Sequence, residues 1–190
     1  MVSPNPLPVD TTAFWRRRIF ESIATGKMLH QIILDDNYLL WQRIQAESSV
    51  ILKKYIKEGA RVLDAGCGYG ALVDAFDEAR LVVNYVGLDI SPDLIELARY
   101  RYPRTNCTFL VGDIHDLPFE SEYFDWVVTR SVRGMIRENI GEDSWNKMEA
   151  EINRVGKRIL RIEYPNGEGG QDLMTQKIDY FVTKPGMKRV

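Results

Sequence analysis

Cysteine and histidine are scarce in this chain, which has two of each among its 190 residues. The two cysteines, Cys67 and Cys107, fall in different predicted elements and are too few for a framework of disulfide bonds. Free thiols persist in a reducing compartment, so we expect a soluble, cytoplasmic protein. We also predict that the chain binds no metal ion.

Long apolar runs and an excess of charge are missing as well. No stretch approaches the length of a transmembrane helix, and the N-terminus lacks the pattern of a signal peptide, so we expect no membrane segment. The formal net charge is −2, which gives nucleic acids no general electrostatic attraction. A length of 190 residues suits a single domain with a sizeable core.

The N-terminal part holds an arm followed by two helices. Three prolines within the first ten residues predict an extended arm. Helices are predicted over about 13–24 and 36–57. In the second helix, Ile44 and Val50 are expected to share the apolar face.

The rest of the chain alternates short apolar runs with helical patterns. The chain therefore divides into an N-terminal part over residues 1–58 and a core over residues 59–190, within a single domain. The first core helix is predicted to begin at Tyr69. Predicted strands cover residues 61–64, 82–89, 107–111, 123–129, 157–164 and 180–183. This alternation is typical of an α/β protein with a doubly wound, mostly parallel sheet.

A glycine-rich stretch joins the first predicted strand to this helix, with the sequence Asp64-Ala65-Gly66-Cys67-Gly68-Tyr69-Gly70-Ala71. Glycine accepts positive φ angles and lets a ligand approach bare backbone. The helix that follows begins with unpaired N–H groups, which favour a negative group. The spacing also matches the G-x-G-x-x-A fingerprint of dinucleotide-binding proteins, so the stretch alone is ambiguous.

Acidic residues mark the ends of three successive predicted strands, at Asp64, Asp89 and directly after the third strand at Asp113. The carboxyl ends of parallel strands lie along one edge of a sheet, where ligands bind. Asp89 can accept hydrogen bonds from two vicinal ribose hydroxyls, and Asp113 can accept one from an exocyclic amine. Ile114 can offer its backbone N–H to a ring nitrogen.

These motifs resemble those of class I S-adenosylmethionine-dependent methyltransferases of the small Rossmann-like type. The D-x-G-x-G-x-G motif occupies residues 64–70, and the acid after the second strand is Asp89. The G-D-x-x-x-L-P-F motif occupies residues 112–119 and precedes F-D-x-V at residues 124–127. The resemblance covers about residues 55–164, and the order and spacing of the motifs carry it.

The resemblance implies S-adenosylmethionine as the cofactor and S-adenosylhomocysteine as its product. Asp64 would face the amino group of the cofactor and Asp89 would hold the ribose. Residues after the third strand would hold adenine, and residues leaving the fourth strand would lie near the methionine end. The implied cofactor-binding residues are Asp64, Gly66, Cys67, Gly68, Gly70, Asp89, Ile90, Asp113, Ile114, Thr129 and Arg130.

The N-terminal helices of such enzymes often close over the cofactor. Tyr38 and Trp41 are therefore implied as parts of a lid. His115 lies beside the adenine motif, and we expect it at the surface rather than in catalysis. The motifs identify no catalytic residue, so none is named.

The implied reaction is direct in-line transfer of a methyl group to an acceptor. We expect a small-molecule acceptor because no recognition domain is evident, and a protein or RNA acceptor stays open. The absence of N-P-P-Y or D-P-P-Y after the fourth strand counts against methylation of the exocyclic amine of adenine or of glutamine side chains. One alternative is a cofactor-binding, non-catalytic subunit that supports a partner. A nicotinamide-dependent oxidoreductase is another, but it leaves Asp113 unexplained.

The C-terminal part is short for this family. About 26 residues follow Tyr164, where the family usually has a crossover helix and two antiparallel strands. We predict a short helix over residues 172–177 and a shortened strand region that ends in one strand. A second copy of the chain or a partner subunit would then cover the exposed edge of the sheet.

Overall fold

The computed structural model describes residues 11–29, 38–132, 136, 140–163 and 179–183. The helices are α1 (Thr11–Thr25), α2 (Tyr38–Tyr55), α3 (Leu72–Glu78), α4 (Pro92–Arg101) and α5 (Glu142–Val155). The strands are β1 (Arg61–Ala65), β2 (Asn84–Asp89), β3 (Cys107–Val111), β4 (Trp126–Arg130), β5 (Ile159–Glu163) and β6 (Asp179–Thr183). The predicted arm, the helix over residues 172–177 and the glycine-rich loop before it lie outside the described residues.

The six strands form one sheet in the order β3-β2-β1-β4-β5-β6. All neighbouring strands are parallel except β5 and β6, which are antiparallel. The chain therefore winds outward from β1 in both directions, with a switch between β1 and β4. This arrangement confirms the predicted doubly wound, mostly parallel α/β fold, and ligands of such folds bind at the carboxyl ends of the central strands.

Both faces of the sheet are covered by helices, as parallel sheets require. One face forms a core with α2, α3 and α4 that includes the fully buried Leu52 and Ile95. The opposite face packs against α5, whose buried Met148 and Ile152 contact the same apolar cluster as Phe124. The central strands thus keep their apolar side chains away from water on both sides and end at one common edge.

Several element boundaries differ from the predictions by one to three residues, and two of these differences have a local reason. Helix α3 begins at Leu72 rather than Tyr69, because Gly68 and Gly70 have φ angles of +54° and +81° and keep the chain in a turn. Strand β4 begins at Trp126, since Phe124 makes only an isolated bridge to Gly156, the residue that follows α5. The glycine turn is therefore longer than predicted and leaves more open backbone at the sheet edge.

The N-terminal helices pack on the core beside this edge. Helix α1 places Trp15 next to Leu94 of α4, and the Arg16 guanidinium lies 2.9 Å from the Asp93 carboxylate. Helix α2 packs into the main core, but its apolar face differs from the prediction. Val50 is 69% exposed, whereas Ser48 is fully buried.

The C-terminal strand β6 pairs along the whole of β5, from Ile159 opposite Thr183 to Glu163 opposite Asp179. The buried Arg161 guanidinium ties this edge together, since it donates to the Glu149 carboxylate and to the Thr183 hydroxyl. Coverage of the β6 edge by a second chain stays a prediction. In the part of the chain that is described, no helix has both the length and the apolar character needed to cross a bilayer.

Candidate functional site

A cavity of about 410 Å³ opens at the carboxyl ends of β1, β2, β3 and β4. Its polar residues come from the ends of these strands and the loops after them. Its apolar wall is formed by Trp15, Trp41, Ile44, Leu94, Val132, Ile136 and Ile140. The cavity thus joins a polar sheet edge to an apolar surface, an arrangement typical of small-molecule sites.

The glycine turn forms the floor of the cavity. Gly66 has a φ of +81°, and a Cβ atom at this position would lie 2.9 Å from a Val132 methyl group. The Gly66 and Cys67 N–H groups donate to the Leu88 carbonyl at 2.8 and 3.0 Å, which holds the turn against β2. A side chain at Gly66 would therefore both strain the backbone and fill the space beside the cavity.

Asp64 is the penultimate residue of β1, lines the cavity and is 1% exposed. The Tyr85 hydroxyl donates to its Oδ2 at 2.7 Å, while its Oδ1 is buried and has no partner among the described residues. Burial raises the pKa of Asp64 to about 6, against the opposing effects of the Tyr85 hydroxyl and the Arg130 charge. A buried carboxylate oxygen without a partner is costly, so this atom is suited to accept a hydrogen bond from a ligand.

Asp89 ends β2 and is held by two backbone amides. The Gly68 N–H donates to Oδ2 and the Ser91 N–H donates to Oδ1, both at 2.9 Å. Burial raises the pKa of Asp89, and these amides oppose the shift. Each oxygen retains an acceptor site, so the fixed carboxylate can receive two further donors.

Asp113 follows β3 and lines the same cavity. Its Oδ1 accepts from the His115 N–H at 2.9 Å and lies 2.6 Å from His115 Nδ1. Partial burial acts to raise the pKa of Asp113, but the hydrogen bonds from His115 outweigh it and lower the pKa. His115 also lines the cavity and its side chain is 18% exposed, and the expectation that it takes no part in catalysis stays a prediction.

The structure brings the implied residues together with two exceptions. Thr129 and Gly70 do not line the cavity. Thr129 is 1% exposed within β4, and Arg130 occupies the cavity wall instead, because successive strand residues point to opposite faces. Gly70 packs against the core, where an added Cβ would lie 2.9 Å from the Tyr102 ring. The binding roles of the implied residues stay predictions.

Cys67 lines the cavity but is a buried thiol whose pKa is raised well above its usual value by burial. A thiol in this state is a poor nucleophile. Of the two residues implied for the lid, Trp41 lines the cavity and stacks on Tyr69 with 6.4 Å between ring centroids. The side chain of Tyr38 lies outside the described residues.

Sequence reasoning missed Gln45, which links three parts of the site from helix α2. Its amide N–H donates to the Ala71 carbonyl at 3.2 Å, and its carbonyl accepts from Arg130 Nη1 at 3.1 Å. The Arg130 guanidinium in turn lies 6.0 Å from the Trp41 ring centroid. The only sequence signal for Gln45 was its position directly after Ile44, which placed its side-chain amide near the buried face of an amphipathic helix.

Comparison with known proteins assigns this chain to a protein family. A family model described as a methyltransferase domain matches residues 62–158, from β1 to the start of β5. This chain belongs to the class I S-adenosylmethionine-dependent methyltransferases. The match contains the glycine turn and the three acids that line the cavity.

Several curated relatives are named as methyltransferases. A fatty-acid O-methyltransferase of Mycolicibacterium smegmatis is 38% identical over 71 residues, which cover 37% of this chain and 26% of that protein. The ubiquinone/menaquinone biosynthesis C-methyltransferase UbiE of Campylobacter jejuni is 26% identical over 80% of this chain and 64% of that protein. The chain therefore spans about a quarter to two thirds of the length of these relatives.

A solved structure adds the cofactor. A phosphoethanolamine N-methyltransferase of Haemonchus contortus, in complex with S-adenosylhomocysteine and phosphomonomethylethanolamine, is 25% identical. The similarity covers 66% of this chain and 30% of that one, with a TM-score of 0.53. The family match and this bound product indicate that the cofactor is S-adenosylmethionine. The unpartnered Oδ1 of Asp64 fits the amino group of that cofactor.

Proposed function

We propose that this methyltransferase binds S-adenosylmethionine in the cavity and transfers its methyl group to a small, apolar acceptor by direct in-line displacement. The observation that carries the proposal is the unpartnered Asp64 Oδ1, buried at the end of β1 in a cavity that Asp89 and Asp113 also line. These carboxylates lie on successive parts of one ligand path along the sheet edge.

Each part of the cofactor has a complementary group in this chain. Asp64 accepts from the amino group, and Asp89 accepts from the two ribose hydroxyls while Gly68 and Ser91 hold it in place. Asp113 accepts from the exocyclic amine of adenine. The remaining implied residues along the path present backbone or apolar side chains: Gly66, Cys67, Gly68, Ile90 and Ile114.

The chain's main task is to align the reactants and to exclude water. When bound, S-adenosylmethionine supplies a methyl carbon on a sulfonium, an excellent leaving group. The acceptor atom would bond to the methyl carbon as the carbon–sulfur bond breaks, and S-adenosylhomocysteine would keep the electron pair. Any acceptor proton would reach solvent as the product leaves the cavity. Trp15 and Trp41 line the cavity, and their large apolar rings reduce the bulk water that it holds.

The acceptor we propose is an apolar small molecule. Seven of the lining side chains, from Trp15 to Ile140, are apolar and suit a hydrocarbon or aromatic body. The names of the relatives point the same way, since one acts on fatty acids and another in quinone biosynthesis. Both cysteines are free thiols, which supports a reducing, cytoplasmic location. The comparisons do not favour a non-catalytic subunit.

The proposal is tested by transfer of a labelled methyl group. The purified chain is incubated with methyl-labelled S-adenosylmethionine and with fatty acids, quinols or aromatic acids of similar size. We expect label on one acceptor class and an equal amount of S-adenosylhomocysteine, and loss of both with Asp89→Ala. Asp125→Asn, which changes an acid at the opposite end of β4, is the matched control and retains activity. The proposal fails if no acceptor is labelled and the chain does not bind S-adenosylhomocysteine.

A further inference from the structure

Three side chains form a hydrogen-bonded row at the adenine end of the cavity. His115 Nδ1 lies 2.6 Å from Asp113 Oδ1, and His115 Nε2 lies 2.7 Å from the Ser144 hydroxyl oxygen. Asp113 and His115 belong to the loop after β3, whereas Ser144 belongs to the first turn of α5. The row therefore links the loop after β3 to α5, whose buried Met148 and Ile152 pack against the sheet.

The Asp113 carboxylate sets the direction of the hydrogen bond that it forms with the His115 ring. The Asp113 carboxylate is an acceptor, so Nδ1 of His115 carries a proton and donates to Oδ1. The Ser144 hydroxyl can either donate to Nε2 or accept from it, so it holds the ring whichever direction that hydrogen bond takes. Each group constrains its neighbour, as in hydrogen-bonded networks generally.

This row leaves the two oxygens of Asp113 in different states. Oδ1 accepts both the His115 backbone N–H and the His115 ring N–H. Oδ2 has no hydrogen-bond partner within residues 38–132 and 140–163, and the side chain is half exposed in the cavity. One acceptor oxygen is therefore saturated and fixed, and the other is presented to a ligand.

We infer that Ser144 and His115 are positioning residues that fix Asp113, so that the site selects a 6-amino purine over a 6-oxo purine. The inference rests on the proposed function, since the ligand is the adenosyl cofactor or its product. A fixed carboxylate accepts from an amine, but it repels a carbonyl oxygen at the same place. A site built to pair with one polar group rejects an analogue that lacks it.

The test compares two ligands that differ only at this atom. S-Adenosylhomocysteine carries the amine, and S-inosylhomocysteine carries a carbonyl oxygen in its place. Calorimetric titration of the full chain should show an adenosyl preference of about tenfold or more. His115→Ala should reduce this preference to about twofold, mainly by weakening the binding of the adenosyl ligand. Ser144→Ala should reduce the preference to about threefold.

A conservative variant and a matched serine separate positioning from general damage. The side-chain amide of His115→Asn can donate to Asp113 from the place of Nδ1, so this variant should recover most of the preference. Ser49→Ala removes a hydroxyl that bonds the Ala46 carbonyl within α2, and it should leave the preference unchanged.

Three outcomes overturn the inference in distinguishable ways. Wild-type affinity and wild-type preference in both His115→Ala and Ser144→Ala would refute the positioning role and leave the proposed function intact. Absence of adenosyl binding by the wild-type chain would refute the proposed function and this inference together. An equal loss of affinity for both ligands, with the preference kept, would show a merely structural role.

Discussion

The buried Asp64 makes the chain without ligand less stable at neutral pH, and Asp64→Asn should relieve this. Burial raises the pKa of Asp64 from 3.8 to about 6. The stability contributed by its protonated form is fully present below pH 3.8 and is lost as the pH rises through about 6. Asparagine carries no charge, so the variant does not lose this free energy.

The size of the effect follows from the shift in pKa. At about 1.4 kcal/mol per unit, the unfolding free energy lost by pH 7.5 is about 3 kcal/mol. At pH 4.5, where folded Asp64 is largely protonated, the same linkage gives about 1 kcal/mol. Any fixed cost of the new amide group is the same at both pH values. Relative to the wild-type chain, Asp64→Asn should therefore gain about 2 kcal/mol between pH 4.5 and pH 7.5, or roughly 4–8 °C in Tm.

The assay is thermal unfolding of both proteins at the two pH values, without ligand. Asp125→Asn is the control, because the Arg61 N–H and the Lys157 ammonium lower the pKa of Asp125. Its carboxylate stabilises the fold above the unfolded-state pKa of 3.8, and both pH values lie above this pKa. The stability difference between this variant and wild type should therefore hardly change between pH 4.5 and pH 7.5. A pH-independent difference between Asp64→Asn and wild type would refute the reasoning.

Two further substitutions test how the site is held. Gln45→Leu removes the acceptor for Arg130 and the link to the glycine turn, so we expect about 1–2 kcal/mol lower stability in urea unfolding and weaker S-adenosylhomocysteine binding. Unchanged binding would contradict the role of Gln45. Gly70→Ala should cost roughly 3 kcal/mol, since it combines a positive φ with a Cβ pressed against Tyr102. Gly26→Ala has a similar φ of +69° in open space and should cost only about 1 kcal/mol, so equal losses at the two sites would refute the packing argument.

The sheet and its polar edge could be predicted because local signals mark them. Strand β3 has the predicted bounds, since its apolar run is closed by Gly112 and Asp113. The order of acids and glycines along the chain placed Asp64 and Asp89 at one edge, because parallel strands carry their carboxyl ends there. These features depend on residues close together in sequence and on one general rule of topology.

Features that depend on helix rotation were harder to predict. Val50 was expected in the core, but it lies six residues after Ile44, which is about 240° around the helix. Ser48 is four residues after Ile44 and lies on the buried face despite its hydroxyl. Hydrophobicity favoured the wrong residue, and helical spacing would have favoured the right one.

Contacts between distant segments could not be predicted at all. Ser144 and His115 are 29 residues apart, and they meet only because α5 packs beside the loop after β3. Gln45 and Arg130 are 85 residues apart, and their contact depends on the position of α2 over the end of β4. The sequence around each of these four residues gives no signal that identifies its contact partner.

The most direct test of the central claim is calorimetric titration of the purified chain with S-adenosylhomocysteine and NADH. The wild-type chain should bind S-adenosylhomocysteine at one site and should not bind NADH. Asp89→Ala should weaken that binding about tenfold or more, because it removes the fixed acceptor for the ribose hydroxyls. Binding of NADH alone, or S-adenosylhomocysteine binding that Asp89→Ala leaves unchanged, would contradict the account.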